Sequence, residues 1–361
     1  MSAPNLGEPR MNEILIADRL VSPGQPTFVI AELSANHNHD LSRALASIDA
    51  AAEAGVDAVK FQTYTADTIT IDSDAEPFQV KGGTLWDGRT LYDLYSEAHT
   101  PWEWHEKLFG RAREHGLVAL STPFDSTAVD LLESLDVPAY KIASMEIVDT
   151  PLISLIASKG KPVIISTGIA TDREIEDAVE ACRSVGNEQV VLLHCTSGYP
   201  TPPEELNMRT LPDMRDRFGM SVGLSDHTMS NTAAIIGVSF GAVVIEKHFT
   251  LSRSAGGPDS AFSLEPEELG ELVNVIRETE RALGRVTYEV APSALVSRSH
   301  SRSLFVVEDV SAGDPVTTQN VRSIRPANGL RPALFADVVG RRFRANTAKG
   351  TPLTLDLLED A

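Results

Sequence analysis

Between residues 28 and 284 short apolar runs alternate with longer amphipathic stretches. The apolar runs are "FVIAEL" (28–33), "AVKFQT" (58–63), "LVALSTP" (117–123), "AYKIAS" (139–144), "PVIIST" (162–167), "VVLLHCT" (190–196), "SVGLSDH" (221–227) and "VVIEKHF" (243–249). They read as strands buried on both faces, as a parallel sheet requires. The stretches between them, such as "LSRALASIDAAAEAG" and "DREIEDAVEACRSVG", repeat apolar residues at helical spacing and close on a glycine suited to a helix C-cap. Eight strand-then-helix units predict a (β/α)₈ TIM barrel, an α/β fold, rather than an open doubly wound sheet. No GxGxxG follows the first strand, which weakens a dinucleotide-binding alternative.

Two stretches leave this rhythm. Residues 64–100 separate the second strand from its helix, and a loop of that length rich in aromatics is expected to form an ordered active-site wall. After residue 285 the periodicity stops. The barrel domain is therefore expected over 1–285, a linker over 286–300 and a second domain over 301–361. In that domain "AGDPVTTQNV" (312–321) and "KGTPLTLDLL" (349–358) share a Gly-x-Pro-apolar-Thr pattern. Two copies are too few for a solenoid and predict a small domain with internal two-fold symmetry.

Barrels of this kind place their chemistry at the C-terminal ends of the strands, so the polar residues closing the apolar runs form the candidate site. Strand one closes on Glu32, strand two on Lys60 and Gln62, and strand three on Thr122 and Phe124. Strand four supplies Lys141, Ser144 and Glu146, strand five Ser166, and strand six Thr196, Ser197 and Tyr199. Strand seven ends on Ser225 and His227, and strand eight on Glu246 and His248. Alternation puts Lys60 with Gln62, Ser225 with His227 and Glu246 with His248 on shared faces, expected to point inward, and turns Lys247 toward the surrounding helices.

His227 and His248, at matched ends of neighbouring strands, suit one shared cation. With oxygen ligands from water or substrate completing it, Mn²⁺ is the first expectation, and Mg²⁺ or Co²⁺ would serve. Lys60 and Lys141 with Ser144, Ser166, Ser197 and Ser225 offer the cations and short donors that a phosphate takes. Either lysine could instead form a Schiff base, so an aldolase stays open. A non-catalytic binding protein is the third class.

Composition narrows the partners. A formal net charge of -20, from 51 acidic and 31 basic residues, argues against nucleic acid or an anionic membrane. No apolar run is long enough to span a bilayer, and "MSAPNLGEPRMNEIL" lacks a signal-peptide pattern. The two cysteines give no disulfide framework, so a reducing, cytoplasmic setting is expected.

The motifs "AELSANHNHD", "AVKFQTY", "STPFD", "YKIASMEI", "ISTG", "CTSGYPT", "GLSDHT", "EKHFT" and "GGPDSAFS" occur in order and together resemble the N-acetylneuraminate (sialic acid) synthase family, with a C-terminal part similar to the antifreeze-like SAF domain. The segment "KGGTLWDGRTLYDLYSEAHTPWEWH" and the serine of "AELSANH" resemble the pseudaminic branch. Where neuraminate-type members read "GSGE" this chain has "ASME", and Ser197 stands where they have Asn. Met145 departs from the Phe common in the pseudaminic branch. The resemblance implies a metal-dependent condensation of phosphoenolpyruvate with an open-chain amino sugar. It assigns Lys60, Lys141, Ser144, Ser166 and Ser225 to phosphoenolpyruvate, and His227 and His248 to the metal. Glu32, Gln62, Tyr199 and Asp259 would face the sugar, and Glu146 or Glu32 would serve as base. It further implies a domain-swapped homodimer in which Arg325 of one SAF domain reaches the sugar held by the other subunit.

Overall fold

A short antiparallel hairpin, β1 (Ile14–Ile16) and β2 (Arg19–Val21), precedes eight parallel strands. These are β3 (Phe28–Glu32), β4 (Ala58–Thr63), β5 (Val118–Pro123), β6 (Tyr140–Ile142), β7 (Val163–Ser166), β8 (Val190–Cys195), β9 (Ser221–Asp226) and β10 (Val244–His248), which close into a barrel with β10 beside β3. The computed structural model describes residues 13–81 and 86–360. Residues 1–12, which carry most of the N-terminal stretch read above, and residues 82–85 of the long excursion lie outside the described residues. The chain parts between Gly284 and Arg285 into two compact units.

Strand periodicity sets the two layers of the first unit. Inward positions such as Phe28, Ile30, Leu120, Ile164, Leu193 and Val244 fill the lower barrel together with Ile14, Ile16 and Val21 of the hairpin, which closes the N-terminal end. Outward positions such as Val29, Val59, Ile165, Leu192 and Ile245 pack against the helices. Burying apolar side chains on both faces stabilises each strand by roughly 1.5–3 kcal/mol per large side chain. At the upper ends the inward positions turn polar, so the same alternation that builds the core delivers the candidate site residues to the mouth.

Local signals fix where the helices start. Asp40 accepts from the backbone N–H groups of Ser42 and Arg43 at the head of helix Leu41–Glu53. Thr171 and Glu174 form a reciprocal capping box on Asp172–Arg183. The excursion after β4 is ordered where described, with helices at Ala66–Ile69 and Leu91–Ala98. Trp102, just past its end, donates from Nε1 at 3.2 Å to Tyr64 O at its start.

The second unit pairs β11 (Ser303–Val306) with β12 (Val321–Ile324) around Leu304, Val306, Val316, Phe343 and Leu353. Its backbone pairings recur at one constant offset. Gly313 N donates to Phe343 O, and Gly350 N to Val306 O; Val316 N donates to Arg341 O, and Leu353 N to Leu304 O. Each copy of the Gly-x-Pro motif thus pairs with the strand of the other. Val310 and Thr347 exchange both hydrogen bonds, so the pair lies on the internal two-fold. Both motif glycines adopt positive φ, 87° and 91°, a conformation that carries little strain only without a Cβ.

Candidate active site

Two buried lysines and two buried carboxylates meet at the upper end of the barrel. Lys60 Nζ lies 2.6 Å from Glu32 Oε2 and 3.7 Å from Glu246 Oε2. Lys141 Nζ lies 3.3 Å from Glu246 Oε1 and donates to Ser166 Oγ at 2.7 Å. Ser225 Oγ donates to the same Glu246 oxygen at 3.1 Å, and Lys60 also reaches Thr122 Oγ1 at 3.4 Å. The strand register explains the meeting, because Glu32 is paired with Lys60 and Ser225 with Glu246 across adjacent strands.

Burial sets the charges. It pushes the Glu32 carboxyl up to about 7, against the pull of Lys60. Burial opposes the charged form of Lys60 too, but Glu246 and Glu32 outweigh it and hold the ammonium above its ordinary value. Burial lowers Lys141, with Glu246 resisting. For Glu246 the burial cost is overcome by Lys141 and Lys60, which keep it ionised below the usual carboxylate range. The group therefore holds one firmly ionised carboxylate and one that can exchange a proton near neutrality.

A second group stands beside the first. The rings of His227 and His248 lie 5.2 Å apart between centroids. His227 Nδ1 is 2.9 Å from Thr196 O; a carbonyl only accepts, so Nδ1 carries the proton and Nε2 keeps its lone pair. His248 Nδ1 is buried without a hydrogen-bond partner. Burial lowers the pKa of both imidazoles, His248 well below its ordinary value, so both are neutral. Tyr199 packs 4.5 Å from His227, and Phe262 closes the group 4.9 Å from Tyr199 and 5.0 Å from His248.

The remaining candidates divide among the walls. Gln62 Nε2 donates to Glu32 Oε1 and to Ser34 Oγ, both at 3.1 Å, and Ser34 Oγ donates in turn to Asp259 Oδ2. Phe124 packs on Tyr64 at 5.0 Å. Strand β6 ends at Ile142, so Ser144 and Glu146 sit on the 3₁₀ turn Ser144–Val148 rather than on the strand itself. Ser144 Oγ accepts from Ile169 N at 3.0 Å, which ties that turn to the segment after β7. Glu146 Oε2 is buried without a partner, and burial raises the carboxyl to about 7. Trp86 of the excursion donates to Pro258 O at 3.1 Å and faces Tyr199 at 6.3 Å, which brings the excursion to the mouth. Arg325 lies in the second unit, exposed just past β12, with no hydrogen bond or ion pair among the described residues.

Several contributors escaped the sequence reading. Glu246 stood among the strand-end candidates, but its role as the carboxylate that both lysines share was not legible there. Ser34 links Gln62 to Asp259. Gly168 is a spacer, since a Cβ there would lie 2.6 Å from Ser197 Oγ and 2.9 Å from Ser144 Oγ. Lys247 does point outward, where it is buried against Asp226 at 2.6 Å.

Comparison with known proteins adds relatives to this geometry. A model described as the NeuB family matches residues 47–288, and a SAF domain model matches residues 301–359. The chain is 44% identical over 336 residues to a pseudaminic acid synthase of Helicobacter pylori, covering 93% of this chain and 98% of that one. A pseudaminic acid synthase of Campylobacter jejuni is 44% identical over 326 residues, covering 90% and 95%. Among solved structures, an N-acetylneuraminic acid synthetase of Leptospira borgpetersenii in complex with citrate superposes with a TM-score of 0.71 at 30% identity. That match covers 80% of this chain and 95% of the other.

Proposed function

The chain belongs to the NeuB family and carries a C-terminal SAF domain, and on that footing we propose that it is a pseudaminic acid synthase. The reaction joins phosphoenolpyruvate, 2,4-diacetamido-2,4,6-trideoxy-L-altrose and water to give the nonulosonic acid and phosphate. The observation that carries this reading is the buried Lys60 and Lys141 pair at the mouth, flanked by Thr122, Ser166 and Ser225. Two desolvated ammonium groups with converging hydroxyls suit a small, multiply charged anion such as phosphoenolpyruvate.

C3 of phosphoenolpyruvate attacks the sugar aldehyde carbon, the enol π pair becomes the new C–C bond, and the aldehyde oxygen takes up a proton. Water adds to the cationic C2 and surrenders its proton to a carboxylate. Phosphate then leaves by C–O cleavage with the bonding pair, the C2 hydroxyl gives up its remaining proton to the departing phosphate, and C2 becomes the keto carbon. Glu146 is favoured over Glu32 as that base, because its Oε2 is free while Glu32 is engaged by Lys60 and Gln62. Gln62, Tyr199 and Asp259 would orient the sugar, with Phe124 on the wall.

His227 and His248 fit a divalent cation. Both are neutral, the first is fixed in the tautomer that leaves Nε2 free, and the second has an orphaned buried nitrogen. Among the described residues no group of three or more His, Cys, Asp or Glu side chains could hold a metal ion, so water and substrate oxygens would complete the sphere, which suits Mn²⁺. Such an ion would polarise the aldehyde oxygen.

The homodimer in which Arg325 reaches the other subunit's sugar belongs to the same proposal, supported by an exposed guanidinium that has no hydrogen bond or ion pair among the described residues. So does a cytoplasmic location, supported by two free cysteines. Among the described residues no helix is long and apolar enough to cross a membrane.

The test is phosphate release from phosphoenolpyruvate with three sugars: N-acetylmannosamine and the two diacetamido-trideoxyhexoses that precede pseudaminic and legionaminic acid. The L-altrose sugar should give the highest kcat/KM, and a faster rate with either other sugar would move the chain to that branch. Borohydride trapping of substrate on Lys60 or Lys141 in EDTA-treated protein would replace the mechanism with a Schiff-base aldolase.

A further inference from the structure

A second set of imidazoles gathers where the loop after β3 meets the end of the excursion. His39 and His99 face each other edge-on with ring centroids 4.9 Å apart, a spacing comparable to the 5.2 Å of His227 and His248. His99 Nδ1 lies 2.9 Å from Ser96 O, so Nδ1 carries the proton and Nε2 keeps its lone pair. Among the described residues the only hydrogen bond from His39 is made by its backbone N–H, which leaves both ring nitrogens unengaged. His37 is already committed: its Nδ1 accepts that N–H at 3.1 Å, and its Nε2 donates to Thr100 Oγ1 at 3.2 Å. Trp104 backs the group, 5.6 Å from His37 and 6.3 Å from His39. His39 is exposed and His99 half-buried, so the pair opens to solvent.

We propose that His39 and His99 form a surface site for a late first-row divalent cation, Ni²⁺, Cu²⁺ or Zn²⁺, with water completing the sphere. Two imidazole ligands without a carboxylate favour these ions over Mn²⁺ or Mg²⁺. Among the described residues no third His, Cys, Asp or Glu joins the pair as a ligand. The position gives the site a consequence. His39 follows the first barrel strand, and His99 directly follows helix Leu91–Ala98 of the excursion, so a bound cation ties that excursion to the barrel. The same excursion carries Trp86 to Pro258 and Tyr199, so the clamp stiffens one wall of the mouth without touching the residues assigned to chemistry.

The test uses tag-free, full-length protein saturated with Mn²⁺ and titrated with Ni²⁺ by calorimetry, beside His39→Asn and His99→Gln. Asn tolerates the left-handed backbone at position 39, where φ is 53°, so that variant keeps the fold. Ni²⁺ exchanging into the mouth is common to all three proteins, and the difference between them is the readout. Wild type should bind one more equivalent than either variant, or bind it at least about tenfold more tightly, and should resist proteolysis within residues 64–100 when Ni²⁺ is present. Identical isotherms for wild type and both variants, or Ni²⁺-independent proteolysis in wild type, would overturn the proposal.

Discussion

The ammonium of Lys60 lies 2.6 Å from the carboxylate of Glu32, and both side chains are almost wholly shielded from solvent. A pair of this kind contributes little net stability, yet removing one member leaves an uncompensated buried charge. Lys60→Met should therefore cost about 3–5 kcal/mol in denaturant unfolding at pH 8. The loss should be smaller at pH 6, where Glu32, raised to about 7, takes up a proton and no longer needs the ammonium. Turnover should vanish at both pH values.

Lys247 and Asp226 form an outward counterpart, 2.6 Å apart and buried, with the lysine also donating to Thr228 O. Lys247→Ala should lower stability by about 3–5 kcal/mol, measured by urea unfolding. Replacing both residues with apolar ones, Lys247→Met with Asp226→Leu, should recover most of that loss. Equal loss in the single and double variants would show that the lysine's bond to Thr228 dominates instead.

These two pairs show how far the sequence could be read. Alternation along "VVIEKHF" separated Lys247 from Glu246 and His248, because strand geometry turns neighbouring side chains to opposite faces. It could not show that Glu246 is shared by Lys60 and Lys141, since that depends on side chains reaching across a closed barrel from β4 and β6. The link from Ser34 to Asp259 was hidden for the same reason, as it joins the loop after β3 to one after β10. The place of Ser144 and Glu146 was misjudged by the length of one strand. Pairing of β6 with β7 stops at Ile142, where the chain turns so that Ser144 can accept from Ile169 N.

If His227 and His248 hold a divalent cation, thorough chelation should abolish turnover, and added Mn²⁺ should restore it. His227→Ala and His248→Ala should each lose at least about a hundredfold in activity, partly recovered at high metal concentration. Full rates in chelated protein, with metal content checked by elemental analysis, would remove the cation from the mechanism.

Arg325 is exposed and makes no hydrogen bond or ion pair among the described residues, as a residue serving a second subunit would. Arg325→Ala should reduce kcat/KM while leaving the unfolding profile unchanged. If the site is shared across a dimer, mixing it with an inactive barrel variant such as His248→Ala should restore part of the activity, because one intact composite site could then form. No recovery after subunit exchange, verified by mass spectrometry, would mean that each chain completes its own site.

Glu146 gives the sharpest pH test, because its catalytic and stability consequences have opposite signs. Burial raises its carboxyl from an ordinary value of 4.5 to about 7, so the folded protein holds this proton more tightly than the unfolded chain does. The stabilising contribution is complete below pH 4.5 and is lost as the pH rises through about 7, amounting to roughly 1–3 kcal/mol. Glu146→Gln, which cannot ionise, should therefore match wild type near pH 4.5 and exceed it in stability at pH 8. Activity runs the other way. If Glu146 is the base for water it must be ionised, so wild-type kcat should rise with pH through about 7, and Glu146→Gln should lose about 10²–10⁴-fold. A variant that kept the acid limb of the wild-type profile would assign that limb to Glu32, whose carboxyl titrates in the same range. The stability difference, which follows from the raised carboxyl of Glu146 and not from its part in catalysis, would be unaffected by that reassignment.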